Sequence, residues 1–164
     1  MKKITQLIPF LLAASIIIMT GCEIKPKEMT VEQKAVVSDT INTMMNEMIE
    51  ASEAVDAVTA LNRALMDSTI VYYFNGTPYG HCDMVTMVSD AFGKLAWQNF
   101  DITWSHVFVP SPDAALWVGE GTCNAADKEG IEKMVQFTLT VYWMRERGKW
   151  GIHHYHESYS AIPE

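Results

Sequence analysis

The sequence predicts an α+β fold, a cone-shaped curved antiparallel sheet of about six strands wrapped around N-terminal helices. Three observations carry that prediction. Apolar residues recur at helical spacing in the first part of the chain, as at Val37, Ile41, Met44, Met45 and Met48. From Asn99 onward the pattern becomes long runs suited to strands, with only short turn-like breaks between them. Helices and strands are thus segregated rather than alternating, which points to antiparallel pairing and not to a βαβ sheet.

The elements follow in order. Thr30 and Gln33 have the spacing of a capping box, in which hydroxyl and amide satisfy each other's free backbone donors, so a helix starts there. Its methionine stripe reads as adaptable core filling rather than a metal or cofactor box. A second helical run is expected from near Ser52, with Val55, Val58, Leu61 and Leu65 on one face. Thr69 to Phe74 is a β-type run, and Asn75-Gly76 is a strong hairpin signal leading to a return strand that ends at Gly80. Asp83 is placed to cap a third helix that buries Val85, Val88, Phe92 and Leu95. Strands are then expected over about 99–109, 114–124, 132–146 and 149–160. A long curved sheet of this kind has a concave side, where pockets form.

Composition limits the functions open to the chain. Its 164 residues suit one domain with a core of its own. Twelve Lys and Arg against 20 Asp and Glu give a net charge of −8, without the cationic cluster that nucleic acid requires. Three cysteines are too few for a disulfide scaffold.

The N-terminus reads as an address. Lys2 and Lys3 precede an apolar stretch from Leu7 to Met19, which meets Thr20-Gly21-Cys22. Gly21-Cys22 resembles a bacterial lipobox. That resemblance implies a signal peptide over 1–21, lipidation of Cys22, and a membrane-anchored lipoprotein of the bacterial cell envelope. Residues 22–29 are then the lipidated cysteine and a charged tether, and 30–164 the domain. Without residues 1–21 the chain has 10 basic and 20 acidic side chains, so lipid rather than surface charge would attach it to a membrane.

On a strictly alternating strand, Trp150, Ile152, His154, His156 and Ser158 share one face, passing from core-like to polar. That is the pattern of a strand running from beneath a helix to the rim of a pocket. Phe100, Ile102, Trp104, His106 and Phe108 share a face by the same rule. Trp117, Tyr142 and Tyr73 are further aromatic candidates.

The run from Trp150 to Ser158, with Asp67, Gly76 and Gly80 upstream, resembles the SnoaL-like, ketosteroid-isomerase-like branch of the nuclear-transport-factor-2-like superfamily. The resemblance covers about residues 30–160 in element order. It implies a pocket between sheet and helices, and frequently a homodimer.

The expected ligand-binding residues are therefore His154, His156, Trp104, His106, Trp117, Tyr142 and Tyr73. The expected ligand is a small, partly apolar molecule. Isomerase chemistry needs a carboxylate base in an apolar pocket beside an acid. Asp101 and Glu120 are the strand carboxylates, with Tyr73 or Tyr142 as donors, and neither has the spacing of the family's catalytic Asp. Metal is not expected: His153 points away from His154 and His156 on a strand, and no CxxC or HExxH element is present. No cofactor is expected either, since Gly119-x-Gly121 lies within a strand instead of a phosphate loop. Cys82 and Cys123 form a disulfide or remain two thiols. The alternatives to ligand binding are a small-molecule isomerase, cyclase or hydrolase with a pocket His or carboxylate as base, and a homodimeric interaction module with a vestigial cavity.

Overall fold

The elements of the computed structural model are α1 (Val31–Glu53), α2 (Ala57–Ala60), β1 (Val71–Phe74), β2 (Thr77–Tyr79), α3 (His81–Phe92), β3 (Leu95–Ser111), β4 (Ala114–Asp127), β5 (Glu132–Glu146) and β6 (Lys149–Ala161). The structure describes residues 28–63 and 70–162. The expected signal peptide, Cys22, most of the expected tether, Leu65, Asp67 and Thr69 lie outside the described residues.

The capping box at the start of α1 is formed. Gln33 N donates to Thr30 Oγ1 at 3.2 Å, and Thr30 N donates to Gln33 Oε1 at 2.9 Å. The stripe Val37, Ile41, Met44, Met45, Met48 is buried against the sheet, as its spacing requires. α1 then runs past Ser52 to Glu53, and Val55, at φ 52°, turns the chain. The second helix is the single turn α2, capped by the Asp56 carboxylate on Thr59 N at 3.0 Å. The expected face is corrected here: Ala57, Ala60 and Leu61 are buried and Val58 is exposed, because the left-handed residue resets the helical phase. The third helix begins two residues before Asp83, with Gly80 at its N-cap. Met84, not Val85, is its most buried side chain.

The sheet has six strands in the order β2-β1-β6-β5-β4-β3. All pairings are antiparallel except β1 with β6, which is parallel. The fully antiparallel sheet expected from sequence is corrected at that one seam. Asn75 and Gly76, at φ 48° and 81°, close β1 on β2 with a two-residue turn. Arg147 and Gly148, at φ 50° and 79°, do the same between β5 and β6.

Two irregularities set which residues face inward. In β3 the pairing moves from Ile102↔Gly121 to Trp104↔Glu120, so Thr103 is extra. In β6 it moves from Ile152↔Trp143 to His154↔Tyr142, leaving His153 extra. Each bulge inserts one residue and reverses the alternation beyond it.

Phe100 and Ile102 therefore pack toward the core, while Trp104, His106 and Phe108 point outward. Ile152 is buried together with Tyr155 and Glu157, while His156 on the same strand is exposed. The sequence reading that gave each set one common face is overturned by these two bulges. Trp117, Val141 and Trp143, all nearly without solvent contact, fill the concave side against α1.

Candidate functional site

A cavity of about 210 Å³ lies between the concave face of the sheet and the three helices. Met48, Met84, Met87 and Val88 contribute from the helices, and Phe74 and Phe100 from the strands. Its polar lining consists of Ser52, Gln98, Cys123, Tyr155, Glu157 and Tyr159.

Glu157 is the centre of that polar set. Tyr155 Oη donates to Glu157 Oε2 at 2.9 Å, and Tyr159 Oη donates to Oε1 at 2.8 Å. The three residues alternate along β6 beyond the bulge, so period 2 puts them on one face.

The turn of the first hairpin fixes this stretch. Asn75 N donates to the Glu157 carbonyl at 2.9 Å, and Tyr159 N donates to Asn75 Oδ1 at 2.7 Å. Asn75 thus has two tasks, since the left-handed residue that closes the hairpin also holds the strand carrying Glu157.

At the other end, Glu53 accepts from Phe100 N at 2.8 Å and Asn99 Nδ2 at 3.1 Å, and Gln98 Nε2 donates to the Ser52 carbonyl. The end of α1 is tied by these bonds to the start of β3.

Burial sets the electrostatics. It raises the Glu157 carboxyl above its ordinary value, and the two tyrosine hydrogen bonds oppose the shift without cancelling it. Tyr155 and Tyr159 are pushed well above the ordinary phenol value, first by burial and then by the Glu157 charge, so both remain donors. Burial, with the Glu157 and Glu53 charges, lifts the Cys123 thiol to about 11, so it stays protonated. Cys82 is exposed and Cys123 buried, and both are free, which answers the disulfide question left open by their spacing.

The cavity is lined by none of the seven residues expected from sequence. Trp117 is buried in the core on the concave face. The other six lie on the convex face in cross-strand rows: Trp104 beside Glu120; His106, Val118, Thr140, His156 and Tyr73; Phe108, Leu116, Tyr142 and His154. Tyr73 contacts both His154 and His156, at ring-centroid distances of 5.8 and 6.2 Å. Asp101 and Glu120, the carboxylates considered for base chemistry, are exposed on the convex face too.

Sequence reasoning missed Glu157, Tyr155 and Tyr159. Their Tyr-x-Glu-x-Tyr spacing was visible, but nothing local marked His153 as a bulge. Among the described residues no three His, Cys, Asp or Glu side chains converge as a metal site.

The architecture is that of nuclear-transport-factor-2-like proteins, an open curved sheet closed on one side by N-terminal helices. Three solved structures illustrate the likeness. A nuclear-transport-factor-2-like superfamily protein from Salmonella enterica superposes with a TM-score of 0.68 at 13% identity, over 80% of this chain and 94% of that one. A scytalone dehydratase candidate from Novosphingobium aromaticivorans gives 0.70 at 8% identity, over 80% and 89%. A hexachlorocyclohexane dehydrochlorinase, LinA type 2, gives 0.67 at 9% identity, over 82% and 94%. Such low identities establish the shared fold and nothing about the reaction. No protein-family model matches the chain, and no curated protein matches it.

Proposed function

We propose that the domain binds a small, largely apolar molecule in the concave cavity, as in the SnoaL-like, ketosteroid-isomerase-like branch of this fold. One observation carries the reading: a buried carboxylate held by two phenols at the polar end of a cavity otherwise lined by Met, Phe and Val. Pockets of this composition take the apolar body of a ligand and orient it by a few polar groups. Native mass spectrometry of the purified protein tests it. A retained small molecule, lost in Met84→Trp, which fills the cavity, supports the proposal; a protein that retains nothing and gains no thermal stability from a panel of small apolar compounds sinks it.

A second reading makes the same site catalytic, with Glu157 as general base. Burial raises the affinity of its carboxyl for a proton, as a base working near neutral pH requires, and adjacent phenols can hold a developing oxyanion. Two of the structural neighbours bear the names of a dehydratase and a dehydrochlorinase, whose names describe loss of water and of hydrogen chloride. Glu157→Gln would then abolish turnover while ligand is still bound; equal turnover in that variant would remove Glu157 as the base.

We also propose that the domain is displayed on the bacterial cell envelope through lipidated Cys22, supported by Lys2-Lys3, the apolar run and Gly21-Cys22. Cys22→Ala should move the protein from the membrane to the soluble fraction. The exposed Trp104 and Phe108, both on the convex face, support a homodimer through that face. Trp104→Glu should turn the dimer into monomer in sedimentation; a wild type monomeric at all concentrations rejects it.

A further inference from the structure

The hydrogen-bonding capacity left open in the cavity is one-sided. Tyr155 and Tyr159 both spend their hydroxyl protons on Glu157. Ser52 Oγ donates to the Met48 carbonyl at 2.9 Å, and Gln98 Nε2 donates to the Ser52 carbonyl. One amide hydrogen of Gln98 and the weak S–H of Cys123 are what remain as donors. Acceptors are plentiful: the free lone pairs of the Glu157 carboxylate, both phenol oxygens and the Gln98 carbonyl. No Lys, Arg or His lines the cavity among the described residues, so Glu157 has no cation of the protein beside it.

Phe74, Phe100, Tyr155 and Tyr159 line the same cavity as Glu157. Tyr159 lies 5.6 Å from Phe74 and 6.3 Å from Phe137, and Phe100 stands edge-on to Phe137 at 5.4 Å, by ring centroids. Ring faces attract cations, and an enclosed carboxylate among them adds the direct Coulomb attraction. A carboxylate or phosphate ligand meets the opposite situation, with like charge and no donors.

We propose that the cavity selects an organic cation, a small apolar or aromatic amine. Its ammonium would donate to Glu157 and to the phenol oxygens of Tyr155 and Tyr159, with its body among Met84, Met87 and Phe100. This rests on the reading of the cavity as a binding site and specifies the ligand class. The net charge of −8 adds a long-range field that draws cations toward the protein.

The test uses three probes of matched shape on the purified protein: 2-phenylethylamine, 2-phenylethanol and phenylacetate, titrated by calorimetry near neutral pH. The amine is expected to bind at least about tenfold tighter than the alcohol, and phenylacetate not to bind, since a charged hydrogen-bond partner is worth more than a neutral one. Glu157→Gln should remove the amine's advantage and leave the alcohol nearly unchanged. If that variant does not fold, wild-type amine affinity measured against pH replaces it, and should weaken as acid protonates Glu157. Alcohol or phenylacetate binding as tightly as the amine overturns the cation assignment while sparing the binding site. Failure of all three probes to bind overturns both.

Discussion

Ile152 and Tyr155 are both buried on the concave face of β6 although three positions separate them, an odd interval that regular alternation forbids. His153 makes it possible by standing unpaired between them. That one inserted residue sends Glu157 inward and His156 outward.

Insertion of one residue between His154 and Tyr155 should therefore be far worse than truncation of the His153 side chain. The insertion inverts the alternation beyond it, turns His156 inward and Glu157 outward, and should unfold the domain, a loss above about 4 kcal/mol. His153→Ala keeps the bulge and should cost less than about 1 kcal/mol. Urea denaturation of the two variants measures the difference, and comparable losses would contradict the role given to the bulge.

Gly121 pairs with Ile102 of β3 beside the Thr103 bulge. A Cβ there would lie 2.0 Å from the Asp101 carbonyl oxygen, which is backbone and has no rotamer to give. Gly121→Ala should cost roughly 2–4 kcal/mol, at the upper end of overpacking losses. A fall of only a few tenths in the same denaturation experiment would show the strands can separate freely.

The buried carboxyl makes stability depend on pH. In the folded state Glu157 holds its proton above its ordinary 4.5, so the folded protein binds more protons than the unfolded chain in that interval. Stability should then fall as pH rises from about 4.5 and level off above the folded value. His154 adds a trend of opposite sign just below 6.5, because burial and then the charges of His156 and His153 lower its proton affinity. The wild-type curve minus the Glu157→Gln curve isolates the carboxyl, and a flat difference would contradict its burial in the folded state.

Tyr159→Phe and Tyr155→Phe each leave one Glu157 oxygen without its donor. Each should destabilise the protein by about 1–3 kcal/mol near neutral pH, the usual range for a hydrogen bond to a charged group. Each should also raise the Glu157 carboxyl further, since the hydrogen bonds favour its charged form. The carboxyl chemical shift in an isotope-edited titration reports the change.

The two thiols should separate by reactivity. Cys82 is exposed on α3, whereas Cys123 is buried and lifted to about 11. Brief iodoacetamide treatment of the native protein followed by peptide mapping should modify Cys82 and spare Cys123 until denaturant is added. Equal modification of both would show that β4 opens under native conditions.

The sequence by itself determined the elements and their order. A capping box, a methionine stripe and two left-handed turns at Asn75-Gly76 and Arg147-Gly148 are local devices, and local devices leave local signatures. Strand bounds for β5 matched the observed ones, and those of β3 fell short by a few residues at each end. What only the tertiary structure decided was which face of each strand turns inward. A bulge depends on how two strands pair, so its signal is divided between Thr103 and Gly121 in one case and His153 and Trp143 in the other. Strict alternation therefore favoured His154 and His156, and the folded sheet placed Tyr155, Glu157 and Tyr159 in the cavity instead.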